Sequence, residues 1–126
     1  MKRVSFVNKL ALVVSMGGVL AFPFVSLAAE NAGGQTKTIS GEVVDLMCYL
    51  DHGAKGDKHK SCAEKCIKSG GPVGLLSGED LYLVIGEHQP INDQLAAKAA
   101  QTVTLKGKVV ERNGMKMIEN AELVQK

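Results

Sequence analysis

The chain has 126 residues with three cysteines, no tryptophan and 4% aromatic residues, and its formal net charge is +2. That length suits one small domain, and so slight a surplus of positive charge excludes a general pull towards nucleic acid or anionic lipid. The surplus belongs to the start of the chain: beyond position 28 stand twelve basic and thirteen acidic residues, a net of −1.

Lys2, Arg3 and Lys9 followed by a mostly apolar run over residues 10–27 have the layout of an export signal,. Ser26-Leu27-Ala28 offers the small-x-small pattern of a signal-peptidase site, which predicts a signal peptide over residues 1–28 and a periplasmic or secreted product,. No cysteine sits at that cut, which argues against a lipoprotein. An uncleaved anchor is the rival, since the run is just long enough to span a bilayer; Gly17, Gly18, Pro23 and the cleavage pattern favour removal. After removal, no apolar run long enough to cross a membrane remains. All three phenylalanines leave with the signal, so a core must be built from Val, Leu, Ile and Met, with Tyr49 and Tyr82 the only aromatics. A domain of this size buries only about 60–70% of its unfolded surface, and a staple would help it.

Residues 29–37 read as a flexible lead and 38–126 as the domain. Over residues 38–46, Ile39, Val43 and Leu46 with Gly41 predict a first strand, the Val43-Val44 pair marking burial on both faces or a bulge,. Gly53 and Gly56 place a loop over residues 51–57. A helix is predicted over 58–69, with Asp57 as N-cap and Gly70 as its stop,. Residues 72–76 and 80–85 form a hairpin around Ser77-Gly78-Glu79, and 91–100 a short helix on Ile91, Leu95 and Ala99. Residues 102–111 alternate as a strand, Arg112-Asn113-Gly114 is a tight hairpin turn, and a last strand follows, bulged near Glu119-Asn120,. Met115 and Met117 on one face of it suggest core filling.

The predicted order is strand, helical insert, two strands, helix, two strands. This is the order of the five-stranded oligonucleotide/oligosaccharide-binding (OB) barrel: a mainly β fold with two short helices and a Cys/His insert at about residues 48–71, between strands one and two. Gly41 and Gly107 would serve the sharp coiling of so small a barrel. An open α+β sheet of the same elements is the alternative.

Chemistry collects in that insert. Cys62 and Cys66 are four apart and His59 is three before Cys62, so on one continuous helix all three fall within roughly a 60° arc,. Cys48 lies upstream and can close the site. Cys48, His59, Cys62 and Cys66 make a tetrahedral Cys3His set for a soft or borderline metal, with structural zinc the first reading and copper or zinc handling the second. Met47 adds an optional thioether.

Gly41-Glu42-Val43-Val44-Asp45, Cys48-Tyr49, His59-x-x-Cys62-Ala63-x-x-Cys66 and Gly71-Pro72-x-Gly74-Leu75-Leu76 resemble a pattern in poorly characterised small exported bacterial proteins with OB-like barrels. The resemblance spans roughly residues 38–124. It implies an exported single domain and leaves the ligand open.

Two other readings of the cysteines stand beside metal binding. Cys48 could form a disulfide with Cys62 or Cys66, leaving a spare thiol, in an oxidising compartment. Cys62 with Cys66 is harder, because helical neighbours keep their Cβ atoms about 5–6 Å apart where a disulfide wants about 3.8 Å. Such a disulfide would stabilise a module binding a small ligand or oligosaccharide on the barrel; thiol–disulfide redox chemistry is the other reading. Lys55, Lys58, Lys60, Lys65 and Lys68 form a basic face, either simply solvated or able to lower thiol pKa values,. His52 and His88 read as surface residues, His52 being a substitute ligand if the helix starts late. Glu42 and Asp45 read as surface acids at a strand end.

Haem attachment fails on spacing: three residues separate Cys62 from Cys66 and Ile67 follows where histidine is needed,. Nucleic acid is a poor fit with so few stacking aromatics. No nucleophile elbow, phosphate loop or carboxylate pair points to an enzyme. A metal ion is the expected partner, a protein partner being left open.

Overall fold

Alternating apolar positions and a few close-approach glycines produce the observed architecture. A computed structural model of the chain describes residues 34–124, so the expected signal peptide lies outside the described residues. The elements in order are β1 (Gln35–Asp45), α1 (Leu46–His52), α2 (Lys60–Lys68), β2 (Val73–Ser77), β3 (Asp80–Val84), α3 (Asn92–Ala96), β4 (Thr102–Arg112) and β5 (Met115–Leu123). The strands close into a barrel in the order β1-β2-β3-β5-β4. Every pairing is antiparallel except β3 with β5, and β1 with β4 completes the circle. This is the OB arrangement expected from the order of elements.

The barrel interior is filled by Val43, Leu75, Val84, Leu105 and Ile118, while Ile67 of α2 and Leu95 of α3 add to the same core. Val43 and Val44 are both buried, so the adjacent valines mark burial on both faces of β1. At Gly41 a Cβ would stand 2.5 Å from the Leu76 carbonyl oxygen, and at Gly107 it would stand 2.6 Å from the Ile118 side chain. Both strands therefore need glycine where the barrel coils tightly. Asn113 and Gly114 take positive φ values of 53° and 80°, the left-handed pair of a tight hairpin turn,. The irregularity in β5 falls where it was expected: Asn120 has φ 53°, and the β4–β5 register shifts between Lys106 and Lys108.

Some details depart from the sequence reading. The first strand begins at Gln35, with Gln35–Lys37 paired to β4, so the end of the expected lead is strand. Among the described residues there are three short α-helices rather than two, because α1 occupies Leu46–His52, between the expected strand and the expected loop, where no helix was predicted. Met115 is 68% exposed and does not fill the core. It directly follows the Asn113-Gly114 turn, where the hairpin extends past the packed interior.

Candidate metal centre

The chain leaves the barrel at Asp45, and this residue organises the site. Its carboxylate accepts from the backbone N–H groups of Met47 (3.4 Å) and Cys48 (3.3 Å), capping α1,. Leu46 N–H donates to the Pro72 carbonyl at 3.0 Å, which ties the start of α1 to the approach to β2. α1 ends at Gly53, whose N–H donates to the Tyr49 carbonyl at 2.8 Å. The loop that follows is held from the barrel wall, because Glu42 of β1 accepts from the Gly56 N–H. A single 3-10 turn, Asp57–His59, then leads into α2.

α2 turns Ala63 and Ile67 inward. Its end is clamped by Asn92 of α3, which donates to the carbonyls of Ile67 (2.7 Å) and Gly71 (2.8 Å). The cysteines therefore sit on a helix anchored by its apolar face at 67 and by hydrogen bonds at its end. Cys48 comes from a second helix anchored by its cap.

These supports bring the Sγ atoms of Cys48, Cys62 and Cys66 within 4.8 Å of one another. An ion about 2.3 Å from each sulfur separates the sulfurs by about 3.8 Å in tetrahedral and about 4.0 Å in trigonal geometry. The cluster thus stands within about 1 Å of ligating spacing. All three thiols are free, with Cys62 exposed and the other two half-buried.

Asp45 also sets the electrostatics. It is only 2% exposed, and among the described residues no lysine, arginine or histidine forms an ion pair with it. Its hydrogen bond with the Cys48 thiol, followed by desolvation and its negative charge, pushes that thiol up to about 12,. Cys66 is also pushed up, first by desolvation and then by the charge of Asp45. The lysines of the insert do not reverse this. Lys68 is spent on Glu64 at 2.6 Å, and Lys55, Lys58, Lys60 and Lys65 are exposed, as a solvated face would be.

His59 does not join the three sulfurs as they stand. The expected arc assumed one continuous helix, but Asp57–His59 is a 3-10 turn, in which each residue advances about 120° rather than 100°,. The His59 ring faces His52 instead, with ring centres 6.0 Å apart. His88 is exposed in the bend after β3 and belongs to neither helix. Glu42 and Asp45 read as surface acids, but Asp45 is buried and Glu42 holds the Gly56 N–H; Asn92 escaped the sequence reading altogether. One signal was available: an Asp three residues before Cys48, at the point where strand alternation stops, is the position of an N-cap.

A separate groove of about 1030 Å3 runs between the start of β1 and the β4–β5 hairpin, lined among others by Lys37, Lys108, Arg112, Met115 and Glu119. It contains no cysteine or histidine and offers charges of both signs to an open trough. Comparison with protein-family models, with curated proteins and with solved structures found no match.

Gly71 is a sensitive support of the cluster. A Cβ there would stand 2.8 Å from the Cys66 carbonyl oxygen and 3.5 Å from Asp45 Oδ1. Gly71→Ala should therefore displace the end of α2, costing about 1–3 kcal/mol of stability and lowering metal affinity about tenfold. Urea unfolding and chelator competition measure the two effects.

Proposed function

We propose that this domain binds a soft or borderline metal ion through Cys48, Cys62 and Cys66. The observation that carries the reading is the convergence of three sulfurs from two separately anchored helices. Zinc and copper(I) are the ions whose ligand preferences suit such a set. Three sulfurs satisfy a trigonal copper(I) ion, or leave the fourth position of a zinc ion to an outside ligand. With Cys62 exposed, the ion remains reachable from solvent.

Accessibility shifts the weight from a structural staple to reversible metal handling. The barrel is closed by backbone pairing all round, and the insert is held to it by hydrogen bonds of Asp45, Glu42 and Asn92. Together with the signal-like start of the chain, this describes an exported metal-handling domain acting in the periplasm or beyond.

Thiol–disulfide redox chemistry is the competing reading. Redox-active cysteines have lowered pKa values that supply a thiolate. Here Cys48 and Cys66 are pushed the other way, which counts against a thiol poised to attack. Thiol counting on protein taken directly from the exporting cell tests the choice. Three thiols that become reactive only after chelation support metal binding. One reactive thiol, with no change on chelation, would replace it with a disulfide.

A further inference from the structure

The seam between α1 and α2 continues past the sulfurs. His52 follows Cys48 by four residues on α1, so the two side chains share a face one helical turn apart,. On the other side His59 precedes Cys62 by three residues, at the entry to α2. The chain reverses between the helices, so Cys48 meets Cys62 and Cys66 while His52 meets His59. The seam therefore carries a layer of sulfur and, beside it, a layer of imidazole.

The two imidazole rings stand near the spacing that a shared ion would set. The ring centres are 6.0 Å apart and the planes are inclined at 58°. A metal about 2.0–2.1 Å from one nitrogen of each ring places the two ring centres about 5.2 Å apart in tetrahedral and about 6.4 Å apart in linear geometry, so the rings stand within about 1 Å of a tetrahedral pair. Asp51 Oδ2 lies 3.1 Å from His52 Nδ1. An ionised carboxylate only accepts, so Nδ1 carries the proton and Nε2 keeps its lone pair for a ligand bond.

We propose that His52 and His59 form a second metal position, taking a borderline divalent cation such as zinc with water completing its shell, one helical turn along the seam from the sulfur site. The position goes beyond the sulfur site and does not depend on it. Two imidazole nitrogens bind more weakly than three thiolates, so the imidazole position fills second.

Zinc alone, titrated to two equivalents into reduced, untagged protein, tests this by NMR of the histidine rings and cysteine Cβ carbons. The cysteine signals should move over the first equivalent. His52 and His59 should move together over the second, with His88 unmoved as the internal reference. In His52→Ala, whose replaced side chain is 53% exposed, the response of His59 to the second equivalent should vanish while the cysteine response remains. Movement of His59 in step with the cysteines would make it a ligand of the sulfur-bound ion and overturn the second position. So would rings that stay still to two equivalents, or His88 moving equally. Cysteines that never respond would instead defeat the sulfur site, and the paired response of the two rings would still decide the imidazole one.

Discussion

Cys48→Ser is expected to lower metal affinity at least a hundredfold while leaving the barrel folded. Cys48 is the only sulfur of the cluster contributed by α1, so its loss leaves Cys62 and Cys66, two ligands on one helix, to hold the ion alone. Structural zinc sites in peptides bind with about 10–16 kcal/mol in total. One thiolate among three or four then accounts for about 3 kcal/mol or more, and each 1.4 kcal/mol is about a factor of ten. The side chain lies outside the hydrophobic core, so strand content and unfolding midpoint of the metal-free protein should change little,. Chelator competition gives the affinity, and circular dichroism checks the fold. Lys58→Ala, on the solvated face of the same insert, should alter affinity less than threefold by screening arguments. An equal loss in both variants would mean that the cysteine acts through general electrostatics and not as a ligand.

Asp45→Asn should change the proton chemistry of the cluster by a comparable factor. Asparagine keeps an oxygen to cap α1, so the helix survives, but the negative charge beside the thiols is gone. The Cys48 thiol should fall from about 12 towards its ordinary value of 9.0. At pH 8 that raises the thiolate fraction by up to about a thousandfold, and alkylation of Cys48 should accelerate at least about tenfold. The sign for stability follows from the same shift. Below pH 9 the thiol is protonated in both folded and unfolded chains and contributes no pH dependence. Between pH 9 and about 12 the unfolded chain ionises while the folded one keeps its proton, so metal-free wild-type protein loses stability across that window,. Asp45→Asn should flatten the loss. Metal binding runs the other way, because each thiolate ligand gives up a proton and affinity climbs with pH. Alkylation rates and urea midpoints from pH 7 to 11 measure both trends.

The fold was legible wherever side chains repeat with a clear period. Alternation over residues 80–85 and 102–111, the Asn113-Gly114 turn and the glycines at 41 and 107 favoured the five-stranded barrel over an open sheet, and the closure is seen in the pairing of β1 with β4. α1 was not legible because Leu46–His52 spans less than two turns and has no buried residue to generate a periodic apolar face,. Its signal was the cap, and Asp45 looked like a surface acid until the burial of both faces at the end of β1 was seen. The convergence of three sulfurs was legible from their spacing, but the place of His59 was not. That depended on whether one turn before α2 winds with 3.6 or 3 residues, a difference no side-chain pattern records. Met115 misled for a related reason: alternation tells which face of a strand a residue takes, not whether the barrel reaches that far along it.

Cobalt(II) titration of the reduced, untagged protein, followed by absorption spectroscopy, probes the sulfur cluster most directly. Charge-transfer absorption from thiolate to cobalt should rise to saturation at one equivalent and disappear on adding excess zinc. A protein that takes up cobalt without that absorption, or takes up none while its three thiols are demonstrably reduced, would show that Cys48, Cys62 and Cys66 share a corner of the fold without sharing an ion.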